Sequence, residues 1–314
     1  MTDSTVNPPA APSWLSPEAR AGLEVPITRT PYPPLDDSAA WQEFIGQVDT
    51  MVTGMLAGMP SLAESALIDA DGVPTYVVTP PGAPTGDDAP VFLNIHGGGL
   101  IMGAGDLTRV MTEIGAAGNG VVNWAPDYRM PPLHPFPAAL DDVATVYRAL
   151  LAVKSPDAIV VGGGSAGGNL AAALLLRAKD EGLPMPAALV LNTPEVDLTE
   201  SGDSFTTLAD VSVGLQSLRE ANLLYAGGHA LDEPYLSPLF GDLTGFPPTL
   251  LTGGTRDLFL SNTVRMHRRL REAGVDADLH IFDGRPHAGF GNAPEELAVT
   301  LETRSFVHRH LGLG

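Results

Sequence analysis

Cysteine is absent from the 314 residues, which excludes disulfides, a thiolate nucleophile and any cysteine-ligated zinc or iron–sulfur centre. Cationic residues are scarce. Seventeen Lys and Arg stand against 37 Asp and Glu, a formal charge of −20 that repels the phosphates of nucleic acid and of anionic lipid. The acids are scattered rather than blocked, as on a solvated surface that resists aggregation. No run approaches the roughly 18 consecutive apolar residues of a membrane-spanning helix, and the opening MTDSTVNPPAAPSWLSPEAR has neither a basic n-region nor an apolar h-region. These absences lead us to expect a soluble, cytoplasmic chain with no nucleic-acid partner and no membrane insertion. Sequence repeats are missing too, and low complexity is confined to a proline-rich opening that reads as an extended arm, wrapping or frayed.

What is present is 44% apolar content, enough for a substantial core. The segment SAAWQEFIGQVDTMVTGML carries Trp41, Ile45, Val48, Met51 and Val52 at three- and four-residue spacing, the pattern of an amphipathic helix. ESALIDADGVPTYVVTPPG then reads as two strands joined at Asp71-Gly72. From there the short apolar runs VFLNI, VVNWA, AIVVG, AALVLN, TLLTG and DLHIF alternate with helical stretches such as FPAALDDVATVYRALLAV, which predicts a mostly parallel sheet covered on both faces. Residues from about Gly202 to Leu239 break that rhythm with a further helical patch, SVGLQSLREANLLYAGG. Together with the early helix it is expected to form a cap over the strand ends.

The stretch VVGGGSAGGNL supports two incompatible chemistries. Gly162, Gly164 and Gly167 satisfy G-x-G-x-x-G, the dinucleotide cradle, but the acid needed about 20 residues on for the ribose is missing; Glu195 comes several residues late. Gly163-Gly164-Ser165-Ala166-Gly167 satisfies G-x-S-x-G, in which a strained strand-to-helix turn lifts a serine nucleophile. That reading requires an upstream glycine loop, then an acid after a late strand, then a histidine. NIHGGGLIMG supplies the loop: the N–H groups of Gly98 and Gly99, with that of Ala166 at the helix start, form a candidate oxyanion hole, and His96 reads as a loop-holding hydrogen bonder. His287, in DGRPHAGF, is the candidate base. His308 and His310 are two apart on a helix, face different ways and make a poor metal pair, so no metal is expected. Asp257, after TLLTGGTR, is the preferred acid, with Asp197 second and Asp283 also near the histidine in sequence.

In HGGGLIMG, DYRMPPLHPFPAALDD, GGSAGGN, PEVDLTESGDSF, GGTRDLFL and DGRPHAGF, all in order from about Val91 to the end, the chain resembles the bacterial hormone-sensitive-lipase-like esterases. The resemblance implies an α/β-hydrolase fold with a mostly parallel, eight-stranded sheet, helices on both faces and a helical cap. Residues 1–55 and 202–239 would form the cap, and 56–201 and 240–314 the catalytic core. It also implies hydrolysis of short-to-medium acyl esters without a cofactor. Ser165, His287 and Asp257 would pass through an acyl-enzyme, and Leu100, Met102, Phe205, Leu208 and Val213 would line the substrate pocket. Three departures stand out. Gly164 replaces the usual Asp or Thr, Leu133 replaces a frequent Glu that makes an ion pair, and Leu258 and Ser261 alter the motif around the acid. The expected partner is a small-molecule ester. Lactones and carbamates are alternative substrates, a non-catalytic binding protein on the same fold is the alternative function, and a homodimer is compatible with the sequence.

Overall fold

The computed structural model describes residues 4–56 and 63–313; residues 1–3, 57–62 and 314, which the expected cap and core ranges include, lie outside the described residues. The chain opens with β1 (Ser4–Val6), α1 (Pro17–Leu23) and β2 (Ile27–Arg29), and β1 pairs antiparallel with β2. Helix α1 starts where Ser16 Oγ accepts the Ala19 N–H and Pro17 occupies the first turn, whose N–H would be unpaired in any case. Its apolar side buries Ala11, Leu15, Ala19 and Leu23 against Phe290 and Ala293, so the proline-rich opening wraps onto the body of the molecule. Helix α2 (Ser38–Leu56) follows over the span its periodicity predicts; only Trp41 is fully buried, while Met51 and Met55 are 53% and 69% exposed.

Strands β3 (Glu64–Ala70) and β4 (Val73–Thr79) form a hairpin whose turn places Asp71 and Gly72 at positive φ, as an Asp-Gly turn favours. The α/β series comprises β5 (Val91–Ile95), α3 (Asp106–Asn119), β6 (Val122–Pro126), α4 (Ala138–Leu151), β7 (Ile159–Gly164), α5 (Ala166–Asp180) and β8 (Ala188–Asn192). After α6 (Ser204–Thr207) and α7 (Arg219–Ala226) it resumes with β9 (Thr249–Arg256), α8 (Leu260–Glu272), β10 (Ala277–Pro286) and α9 (Glu296–His310). Eight strands make one sheet in the order β10-β9-β8-β7-β5-β6-β4-β3, with only β4 running against its neighbours. Successive residues point to opposite faces. Leu93, Val161, Leu189 and Leu251 therefore pack under α4 and α5, while Phe92, Val160, Val190 and Leu250 pack under Phe306 and Val307 of α9.

The patch SVGLQSLREANLLYAGG is helical only over α7; Gly214 at φ 79° interrupts it, and Gly227 in the left-handed conformation ends it. Among the described residues no helix is long and apolar enough to cross a membrane, and no group of three or more His, Cys, Asp or Glu could hold a metal ion.

Candidate active site

The C-terminal ends of β5, β7, β8, β9 and β10 lie side by side, and the loops leaving them hold the predicted residues. Ser165 stands between β7 and α5 with φ 56° and ψ −124°, a conformation costing on the order of 1–3 kcal/mol for a residue with a side chain. The surroundings hold it there. The Ser165 N–H donates to the Asn192 carbonyl at 2.9 Å, and its own carbonyl accepts from the N–H of Glu195 at 3.1 Å. The flanking glycines are sterically required: a Cβ on Gly167 would lie 1.9 Å from the Ile95 carbonyl oxygen, and one on Gly163 would lie 2.5 Å from that same oxygen. Gly164 differs. A Cβ there would meet nothing closer than 3.7 Å, so there is room for the residue the family usually places there, and Ser165 is held by Asn192 without it.

His287 Nε2 lies 2.9 Å from Ser165 Oγ, and its Nδ1 lies 3.0 Å from Asp257 Oδ1. Asp257 is fully buried, and its Oδ1 also accepts the Phe259 N–H at 2.9 Å. The Phe259 ring meets the imidazole edge-on at 4.7 Å and closes one side of it. The histidine loop is pinned by Glu296, which pairs with Arg285 at 2.8 Å and accepts the Phe290 N–H at 2.7 Å. The strand end before Asp257 is pinned by the opening segment, since Arg256 donates to the carbonyls of Pro9 and Ala10 at 3.1 and 2.6 Å.

The second acid candidate is committed elsewhere. Asp197 accepts from Ser201, Thr199 and Arg265; burial alone would raise its pKa, but these hydrogen bonds hold it below the usual carboxylate range. Asp283 accepts from Thr255 at 3.0 Å on the surface.

The glycine loop after β5 abuts the serine: a Cβ on Gly97 would stand 3.3 Å from Ser165 Cβ. Gly98 and Gly99 sit at φ 125° and 58°, and among the described residues neither donates its N–H to a protein acceptor. A Cβ on Gly98 would lie 2.2 Å from the Met102 carbonyl oxygen, so the tight bend admits only glycine. His96 supports the loop from beneath. It stacks on Tyr128 at 4.1 Å, its Nδ1 faces the Gly97 carbonyl at 2.8 Å, and Tyr128 donates to its carbonyl at 2.8 Å. Burial pushes its imidazole down to about 4, so it is neutral at physiological pH. Asp49 of α2 accepts the Gly103 N–H at 3.1 Å, tying the early helix to the same loop.

Of the expected pocket residues, Met102, Phe205 and Leu208 join an apolar cluster around Trp41, Ile101, Leu218 and Phe259. Phe205 packs on Phe259 at 5.8 Å and also borders a cavity of about 650 Å³ that reaches Tyr32, Gln216 and Leu258. Val213 is half-buried outside that cluster, beside Gly214, where an added Cβ would stand 4.0 Å from the Ala288 Cβ. Leu100 is a correction: at φ 62° it is fully buried in the main core with Tyr128 and Ala166, and offers no surface to a substrate.

The remaining departures have local answers. Leu133 is 66% exposed, and Arg129 pairs instead with Asp142 at 2.7 Å. Ser261 exchanges hydrogen bonds with Ser204 at 2.9 and 3.0 Å, joining the start of α8 to α6. Sequence reasoning passed over this link and over Glu195, whose one visible signal was an acid standing late for a ribose.

A strained serine at the turn after β7, with a histidine and a buried acid on later loops of a mostly parallel sheet, defines the class of α/β hydrolases. The family model described as alpha/beta hydrolase fold matches residues 92–291. The chain belongs to this family, in its bacterial hormone-sensitive-lipase-like branch. It is 34% identical over 195 residues to an acetyl-hydrolase of Streptomyces hygroscopicus, which covers 61% of this chain and 65% of that relative's length. Two solved structures superpose nearly end to end. Esterase E25 is 34% identical with a TM-score of 0.83, covering 96% of each chain. An esterase from the bacterial hormone-sensitive lipase family is 32% identical with a TM-score of 0.81, covering 95% of this chain and 99% of that one.

Proposed function

We propose that the protein hydrolyses short-to-medium acyl carboxylic esters through Ser165, His287 and Asp257. The observation that carries this reading is the continuous hydrogen-bond relay from a strained serine through a histidine to a buried carboxylate, beside two unspent glycine amides. His287 Nε2 takes the Ser165 proton as Oγ attacks the carbonyl carbon, and Asp257 accepts from Nδ1–H and stabilises the imidazolium. The N–H groups of Gly98, Gly99 and Ala166 hold the oxyanion. The proton passes to the alcohol as it leaves; water, deprotonated by the same histidine, then attacks the acyl-enzyme and releases the acid. Residues 1–55 and 202–239 act as the cap: α2 reaches the glycine loop through Asp49, and α6 reaches the acid-bearing loop where Ser204 Oγ donates to the Leu258 carbonyl. The short-to-medium range rests on the apolar cluster of Met102, Phe205 and Leu208 and on the relative named an acetyl-hydrolase.

The test is turnover of p-nitrophenyl esters from C2 to C12, with covalent labelling by a fluorophosphonate. The expected result is labelling at Ser165 and a kcat/KM maximum at or below about C8. A protein that binds esters but neither turns them over nor takes the label would be the non-catalytic binding protein instead. Gly98→Ala should lower kcat by about 10² to 10³, because the added methyl collides with the Met102 carbonyl and moves the donor amide off the oxyanion. KM for the same ester should change far less.

A further inference from the structure

Glu195 lies on the loop leaving β8, directly behind the nucleophile. Its N–H donates to the Ser165 carbonyl at 3.1 Å, and its own carbonyl accepts from Asn169 Nδ2 at 2.7 Å. The side chain is 1% exposed, and among the described residues neither Oε1 nor Oε2 has a hydrogen-bond partner. An ionised carboxylate stranded in this way is among the most costly arrangements in a protein interior.

Asn222 of α7 lies beside this carboxyl. Its Nδ2 donates to the Leu198 carbonyl at 3.3 Å, while its Oδ1 is buried with no hydrogen-bond partner among the described residues. The site therefore contains an acceptor that lacks a donor, next to a group that can donate only when protonated. Among the described residues the ionisable groups facing Glu195 are Glu200 further along the same loop, Tyr128 after β6 and Tyr32 from the opening segment, none of them cationic. Burial first, and then the nearby Glu200 charge, push the Glu195 carboxyl up to about 8 against the opposing pull of Asn222.

We propose that Glu195 is a positioning residue: a neutral carboxylic acid whose O–H reaches Asn222 Oδ1 and ties α7 to the nucleophile turn, so that removing this donor loosens the turn and lowers turnover. Glu195 touches no reacting atom and acts through the Ser165 backbone. The role rests on the esterase reading given above, but the protonation state can be tested without it.

The experiment compares wild type with Glu195→Gln and Glu195→Ala. Gln keeps a donor for Asn222 and cannot ionise. Wild-type kcat should fall about tenfold between pH 7 and pH 9, the loss expected of one ionisation centred near 8, whereas Glu195→Gln should stay level over that range. At pH 7, Glu195→Ala should lose kcat with KM nearly unchanged, and Glu195→Gln should restore it. Infrared difference spectra at pH 7 should show a protonated-carboxyl stretch in wild type that is missing from Glu195→Gln.

Stability gives a further readout. The folded protein holds this proton up to about 8, and the unfolded chain only to about 4.3. Within that window the unfolded state binds fewer protons, so wild-type Tm should drop relative to Glu195→Gln as pH rises from 5 to 8, and the gap should level off above 8. An absent carboxyl band with a constant Tm difference overturns the neutral acid, and an alkaline fall in kcat that persists in Glu195→Gln overturns the positioning role. If no ester is turned over by any variant, the esterase reading fails and the positioning role with it, while the band and the Tm difference still decide the protonation state.

Discussion

Ser165→Ala should lower kcat for p-nitrophenyl butyrate by about 10⁵ to 10⁶, with the protein still folded. Among the described residues, the side chain that His287 Nε2 meets is the Ser165 hydroxyl, and the chain has no cysteine to substitute. The turn should survive because the backbone, rather than the hydroxyl, holds it: the Ser165 N–H and carbonyl are bonded to Asn192 and Glu195, and the close approach of Gly167 to Ile95 is untouched. Alanine at this positive φ keeps the strain that serine already bears, so Tm should move by only a few degrees. Turnover by the variant close to wild type, or fluorophosphonate labelling that persists in it, would eliminate the serine mechanism.

Asp257→Asn should reduce kcat by about 10³ to 10⁴, with KM nearly unchanged. The carboxylate faces His287 from a fully buried position, so its charge is weakly screened where the imidazolium forms. An amide of the same shape removes that charge. Its oxygen can accept from Phe259 N–H and His287 as Oδ1 does now, but its NH₂ then occupies the position of Oδ2, which is buried with no hydrogen-bond partner among the described residues. Turned the other way, it presents N–H to N–H and selects the wrong tautomer. Asp197→Asn is the control: it cuts into the bonds with Thr199, Ser201 and Arg265, so Tm should fall while kcat stays within a few-fold. If the two variants exchanged these outcomes, Asp197 would be the acid.

Most of the fold was legible because its signals are local. Each of the six apolar runs from VFLNI to DLHIF is a strand: the first five lie inside the sheet, where burial on both faces favours continuous apolar sequence, and DLHIF forms the half-buried edge strand β10. Asp71-Gly72 marked its hairpin because few dipeptides tolerate two positive φ values in succession. The patch before α7 was misread because apolar spacing carries no record of where Gly214 breaks the chain. Leu100 was misplaced for a related reason: adjacency to the glycine loop does not reveal that a left-handed φ sends its side chain into the core.

Residue order along the chain was enough to specify strand identity, the glycine-flanked serine and the succession of loop, nucleophile, acid and histidine, because each depends on neighbours a few positions away. Folding in three dimensions set Asp257 rather than Asp197 beside His287, brought His287 within 2.9 Å of Ser165, and left the Glu195 carboxyl, among the described residues, without a hydrogen-bond partner behind Ser165. Those outcomes depend on which buried groups meet across the sheet and how completely they are desolvated, and neither is encoded in any single stretch of residues.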